Sequence, residues 1–286
     1  MWAEEGDTMT LQDIDSIDSI LPWGWSPLLV QKLRQAGAPE SLLPTPEQMT
    51  AYRTFASRKT AVKLLSALKK KPIFSYYNLD SSWCTSEAEV RQACKNYGAS
   101  ILKMPWSGSG RGLHPVGNGV LTEKDWAWVR KTLERQGGVE VEPTYNKIQD
   151  FAMEFWAESG QVRYEGLSVF ETTAGGVYAG NLIASEDVKM ARLTHYVPAQ
   201  RLREVQQEMT ILLSTAGIPN WYRGPLGVDM MITENGLHPL IEINLRMTMG
   251  WVSIKLLRQL NKGETGTFSI TQSNGQYQAI FTKKSV

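Results

Sequence analysis

Three things are scarce in this sequence of 286 residues: cysteine, histidine and an excess of either charge. The two cysteines, Cys84 and Cys94, form no CxxC pair and are too few for a disulfide framework. His114, His195 and His238 are dispersed, which argues against a His/Cys zinc site. Thirty basic side chains against 29 acidic ones leave a formal charge of +1. That balance lacks the basic excess of a general nucleic-acid binder. No run reaches the roughly 18 apolar residues needed to span a bilayer. Before Lys32 there are six acids and no Lys or Arg, so the basic start of a secretory signal is missing. The expectation is a cytoplasmic protein with neither membrane nor nucleic acid as a partner.

What is present supports a large core. Apolar residues make up 42% of the chain, and the length matches two domains at about 150 residues each. Pro22, Pro27, Pro39, Pro44 and Pro46 interrupt residues 1–50, leaving room for one short helix over 28–36. Trp23 and Trp25 read as an aromatic turn packed on the body. Phe55, Val62, Leu65 and Leu68 space a helix over 52–68; Pro72 stops it, and 73–77 reads as a short strand. Ser86 and Glu89 form a capping-box pattern for a helix over 87–96, closed by Gly98. A strand over 99–103, a Gly/Ser loop over 107–112, a helix over 123–136 and a strand over 139–142 follow.

The second half reads as an antiparallel sheet. Strands are expected over 148–156, 162–171 and 177–182, with Gly175-Gly176 as a hairpin turn between the last two. A helix over 198–216, two strands flanking Asn235-Gly236, a helix over 251–262 and a hairpin around Asn274-Gly275 complete the chain. The fold class expected is α+β (α/β).

The most specific chemical signal is the pair of strands around Asn235-Gly236, a strong two-residue turn signal. In that register Asp229 lands opposite Glu242 and Gly227 opposite Asn244. Glu242 and Asn244 share one face, and Ile241 and Ile243 point to the other. Opposed carboxylates repel unless something positive lies between them. Oxygen ligands from Asp229, Glu242 and Asn244 suit a hard cation such as Mg²⁺, and Arg246 continues the same face. The alternative is an exposed hairpin face with scattered polar groups. Pro239 removes a ladder donor within the second strand.

A second signal is Lys103 at a strand end followed by Ser107, Gly108, Ser109, Gly110, Arg111 and Gly112. A cation and exposed backbone N–H groups meet the requirements for holding phosphates. The loop is neither a Walker A motif nor GxGxxG, because no GK[ST] follows and position 113 is Leu.

Taken in order, these elements resemble the ATP-grasp superfamily over roughly residues 57–260. The family pattern is a lysine-bearing strand, a Gly/Ser loop, an adenine-contacting hinge strand, then Asp and Glu-x-Asn metal ligands on neighbouring strands. The resemblance implies two α+β subdomains whose antiparallel sheets grip ATP. Residues 57–138 would form the first, with the Gly-rich loop, and 139–286 the second, with the metal site. Residues 1–56 would be a lead-in standing where such enzymes commonly carry an N-terminal domain that helps bind the acceptor.

By the same resemblance, Lys103 contacts phosphates and Ser107, Gly108, Ser109, Gly110, Arg111 and Gly112 close over them. Glu140, Val141 and Glu142 meet the adenine through backbone groups, and Glu142 or Asp150 binds the ribose. Asp229, Glu242 and Asn244 hold Mg²⁺, as a rule two ions, with Mn²⁺ as a substitute. Arg246 steadies the transferring phosphate or the tetrahedral intermediate. An earlier lysine, Lys59 or Lys63, also touches the nucleotide. Thr172, Thr173, Tyr178, His195, Tyr222 and Arg223 are further cleft candidates. The implied activity is an ADP-forming ligase joining a small-molecule or peptide carboxylate to an amine, or less often a thiol. A small-molecule kinase on the same fold and a nucleotide-binding regulatory module without turnover are the alternatives.

Overall fold

A computed structural model describes residues 17–74, 79–107, 112–173, 178–261, 263–273 and 276–284. Side-chain caps fix where the helices begin. Ser26 caps α1 (Pro27–Gln35), and Thr45 with Gln48 forms a capping box on α2 (Pro46–Phe55). Ser57 caps α3 (Arg58–Lys69). The single helix expected over 52–68 is thus two, divided at Ala56 and Ser57, where a fresh cap competes with continuation. The strand expected over 73–77 is replaced at its start by a 3-10 turn, Pro72–Phe74, because Pro72 fixes a helical φ; residues 75–77 lie outside the described residues.

Four antiparallel strands make the smaller sheet, in the order β1 (Ser82–Cys84), β4 (Val139–Pro143), β2 (Ser100–Lys103), β3 (Leu113–Val116). Helices α4 (Glu87–Tyr97) and α5 (Glu123–Gln136) pack on one face of it. The expected Ser86–Glu89 box starts α4, and Thr122 with Asp125 forms another on α5. Their core gathers Val90, Cys94, Leu102, Val129, Val139 and Val141. Both cysteines are free and buried there.

The larger sheet has seven antiparallel strands, in the order β11 (Gln276–Lys284), β10 (Thr265–Ser273), β7 (Tyr178–Ile183), β6 (Gln161–Thr172), β5 (Lys147–Glu158), β8 (Gly224–Thr233), β9 (Gly236–Asn244). In β5 the residues Phe151, Met153, Phe155 and Ala157 are buried at alternate positions. This apolar face packs against α2, α3 and α7 (Ala199–Thr215), with Leu65, Leu68, Leu202 and Met209 in the same cluster. The chain also forms α6 (Glu186–Thr194), which the sequence pattern did not indicate. The helix expected over 251–262 is α8 (Met249–Leu256), followed by a 3-10 turn at Leu257–Gln259. The turns expected at Gly175-Gly176 and Asn274-Gly275 lie outside the described residues, although the strands flanking each do pair. The architecture is α+β, as expected.

The opposite face of the larger sheet carries polar groups. One part of it lies under α8, where Trp251 donates from Nε1 to the Phe155 carbonyl at 3.1 Å. Another part meets the smaller sheet. Arg58, the first residue of α3, reaches acids on both: Glu140 of β4 at 3.8 Å and Glu242 of β9 at 2.8 Å.

Candidate functional site

Asp229 pairs with Glu242 and Gly227 with Asn244 across β8 and β9, so all four share one face. This is the expected register, reached by an unexpected route. The hairpin closes at Thr233 and Gly236, leaving Glu234 and Asn235 as the turn rather than Asn235 and Gly236. Further along, Pro239, Leu240 and Ile241 of β9 face Met230 alone. Those extra residues cancel the offset from the turn. Pro239 has no N–H for the ladder, which explains why the irregularity falls there.

Hydrogen bonds then order the polar row. Asn244 donates from Nδ2 to Asp229 Oδ2 at 3.0 Å, and Arg246 donates from Nη2 to Asn244 Oδ1 at 2.8 Å. Arg246 also donates to the Met247 carbonyl at 3.0 Å, which fixes its guanidinium. Burial, then the nearby Glu242, pushes the Asp229 carboxyl up to about 7.

Glu154 joins this row and was missed in the sequence. It lies opposite Gly227 on β5; its Oε2 lacks a hydrogen-bond partner among the described residues. Burial raises its pKa to about 8, with Asp229 adding to the rise. The alternation of Phe151, Met153 and Phe155 does place Glu154 on the polar face of its strand. Only the pairing of β5 with β8, between residues far apart in sequence, brings it to Asp229.

From the smaller sheet, Lys103 and Glu142 form a pair at 2.5 Å with side chains only 4% and 5% exposed. Burial pushes the Glu142 carboxyl up, against the pull of Lys103. Glu140, opposite Lys103 in the ladder, accepts from Ser81 Oγ at 2.8 Å. Arg58 completes the cluster, donating to Glu242 at 2.8 Å and lying 3.5 Å from Ser107 Oγ. Burial alone would lower the Arg58 pKa, but Glu242, Glu140 and Glu142 outweigh it and hold the guanidinium charged.

Lys59 and Lys63, the early lysines singled out in the sequence, are exposed, whereas Arg58 is buried among these acids. In sequence Arg58 is only one cation after Ser57, and its acidic partners come from strands far along the chain. The smaller sheet also limits the hinge. At Glu140 and Val141 the backbone of β4 pairs with β1 on one side and β2 on the other, and Val141 points into the core. At Glu142 and Pro143 the described strands pair with β4 on the β2 side alone.

Asp150 accepts from Lys147 Nζ and Thr172 Oγ1, each at 2.6 Å. Ser107 and Gly112 bracket the glycine loop, closed by a bond from Met104 N to the Gly112 carbonyl at 3.0 Å. Gly108, Ser109, Gly110 and Arg111 lie outside the described residues. Of the further candidates, Tyr222 is buried with its hydroxyl on the Pro225 carbonyl at 2.5 Å, and Arg223 pairs with Glu158 at 2.8 Å.

No known family profile and no curated protein matches this sequence. Solved structures do match. Biotin carboxylase from Campylobacter jejuni, in a β-γ-ATP complex, aligns with a TM-score of 0.57 and 15% identity over 90% of this chain. The biotin carboxylase domain of Hydrogenobacter thermophilus 2-oxoglutarate carboxylase, complexed with MgADP, ADP and bicarbonate, aligns at 0.55 and 14% over 88%. N5-carboxyaminoimidazole synthetase from Staphylococcus aureus, complexed with ADP, aligns at 0.51 and 14% over 85%. The chain has the ATP-grasp fold.

This chain spans 60%, 58% and 62% of those three proteins respectively. The ATP-grasp likeness is therefore one of architecture, and the chemistry rests on the polar residues between the two sheets. Among the described residues no three His, Cys, Asp or Glu groups converge as a metal cluster. The β8–β9 face instead holds two carboxylates and the Asn244 amide, whose nitrogen faces Asp229 and whose oxygen faces Arg246. Carboxylate oxygens fit Mg²⁺, which keeps several waters and shares the rest of its shell with phosphates, and the Asn244 oxygen would join them on turning its amide.

Proposed function

We propose that this protein is an ATP-dependent, ADP-forming ligase that joins a carboxylate to an amine. The observation that carries the proposal is the convergence of Asp229, Glu242, Asn244 and Arg246 from one sheet with Lys103 and Glu142 from the other, bridged by Arg58. Those residue types suit a polyphosphate with a hard cation, and they offer no obvious nucleophile of the protein's own.

In this reading ATP lies between the two sheets. Lys103, Arg58 and the loop from Ser107 to Gly112 take its phosphates, Arg111 included. Adenine meets the end of β4 at Glu142 and Pro143, with Glu140 and Val141 supporting the strand and Glu142 or Asp150 reaching the ribose. Asp229, Glu242 and Asn244 would hold Mg²⁺, which supplies charge neutralisation on the phosphates; two ions and replacement by Mn²⁺ are part of the proposal. A carboxylate oxygen attacks the γ-phosphorus, the bond to the β-phosphate oxygen breaks, and ADP leaves. The amine nitrogen then attacks the acyl carbon of the acylphosphate, phosphate departs with the bonding pair, and the nitrogen loses a proton. Arg246 and Lys103 act by position and charge, which dominate phosphoryl transfer.

An acceptor screen for ADP release, run with and without hydroxylamine, tests the proposal. Ligase chemistry yields ADP that depends on a carboxylate, and a trapped hydroxamate. ADP formed on a hydroxyl substrate without hydroxamate would make the protein a kinase. Tight ATP binding with no turnover across carboxylates and amines would make it a binding module.

A further inference from the structure

The N-terminal segment builds a second feature beside the polar cluster. A cavity of about 510 Å³ lies among Trp25, Val30, Met49, Tyr52, Arg53 and Trp106, within the range of small-molecule sites. Among the described residues its lining is mostly apolar, and the charged members are two arginines, Arg34 and Arg53. Arg34 is taken up by Glu40 at 2.5 Å. Arg53 has no acidic partner among the described residues, and its guanidinium stacks over the Trp106 ring at 4.3 Å.

Two walls of the cavity adjoin the proposed transfer centre. Tyr52 donates its hydroxyl to the carbonyl of Leu245 at 2.5 Å, the residue between Asn244 and Arg246. Gly24, directly before Trp25, is packed so closely that a Cβ there would lie 3.3 Å from Arg246 Cβ. On the other side Trp106 precedes Ser107, whose hydroxyl is 3.5 Å from Arg58. The indole of Trp106 is held in place by a 2.8 Å bond from Nε1 to the Arg53 carbonyl.

We infer that this cavity holds the acceptor acid, and that the acid is a small, mainly apolar or aromatic carboxylate. Its charge is set on Arg53 at the Ser107 end, and its body lies between Trp25, Met49 and Trp106. The assignment rests on the ligase reading for the role of the acid, while the cavity itself belongs to residues that reading does not use. A dicarboxylate or sugar acid would leave its polar groups against an apolar lining without partners.

The test measures two affinities on the full chain: 3-phenylpropionate by calorimetry and, separately, Mg²⁺·ADP. The expected result is saturable binding of 3-phenylpropionate. Uncharged 3-phenylpropionamide and apolar-poor succinate should each bind at least about tenfold more weakly. Arg53→Gln, and Met49→Trp as a cavity filler, should each weaken 3-phenylpropionate by about tenfold or more and leave Mg²⁺·ADP binding unchanged. Mg²⁺·ADP binding without any binding of 3-phenylpropionate overturns the acceptor assignment and leaves the nucleotide reading standing. Binding of 3-phenylpropionate without Mg²⁺·ADP overturns the ligase reading and the acceptor role with it. If 3-phenylpropionate binds only after residues 1–16 are deleted, the cavity is the seat of the chain's own acidic N-terminus, and the assignment is overturned.

Discussion

Arg58 is the residue on which acids of both sheets depend. Its side chain is 6% exposed, and it is the cation beside Glu140 and Glu242. Arg58→Ala leaves both acids facing each other without it, and a loss of about 3–5 kcal/mol is expected in urea unfolding. Asp229→Asn acts in the opposite sense, because it removes one of two opposed carboxylates. Stability should hold or rise, while Mg²⁺-dependent nucleotide affinity falls by about tenfold or more. A variant that lost folding and binding together would count against the metal role.

His238 gives a pH signature of its own. Both ring nitrogens lack hydrogen-bond partners among the described residues, and the ring lies edge-on to Tyr145 at 5.1 Å. Burial, reinforced by Lys103, pushes its pKa down to about 3. An unfolded histidine takes up a proton near pH 6.5, about 3.5 units higher. Between those values the unfolded state binds more protons, so stability falls as pH falls. His238→Phe should remove about 2 kcal/mol of the stability lost between about pH 7.5 and about pH 5, read from urea unfolding at both values.

At the scale of elements, the contrast between local and distant information decides what the sequence discloses. The Ser86–Glu89 box, the helix Glu123–Gln136 and the alternation of β5 depend on neighbours a few residues away, and each is legible. The β8–β9 register was also legible in its outcome, although the turn at Glu234 and Asn235 and the irregularity at Pro239 are compensating departures from it. Glu154 and Arg58 were not legible, because their partners lie on strands that meet only in the folded chain. The docking of α8 depends on the same distant geometry. A Cβ on Gly250 would lie 2.0 Å from Glu154 Oε1 and 2.6 Å from Ser168 Oγ. Gly250→Ala should therefore cost about 1–3 kcal/mol through overpacking, despite alanine's higher helix propensity. A neutral result in thermal unfolding would mean that α8 can slide on the sheet.

For the molecule as a whole, a nucleotide held by both sheets should stabilise both together. Mg²⁺·ADP at about 100 times its Kd adds about 2.7 kcal/mol. At this chain length that corresponds to a rise in Tm of several degrees, at about 2–4 °C per kcal/mol. The rise should vanish when EDTA removes the metal, and a single transition should persist throughout. No described helix is long and apolar enough to cross a membrane.

The Lys103–Glu142 pair has a kinetic consequence. Both side chains are almost wholly enclosed, so the lysine that would greet a phosphate is already held by an internal rival. On the ligase reading, an arriving nucleotide would have to wait for that rival to let go. Binding would then behave as a queue rather than a collision: the observed rate should climb with nucleotide concentration and level off at the speed of the internal release. Glu142→Gln, which keeps the shape and removes the competing charge, should lift that ceiling in stopped-flow mixing. A rate that rises without limit in the parent protein would mean the pair is a bystander, not a gatekeeper.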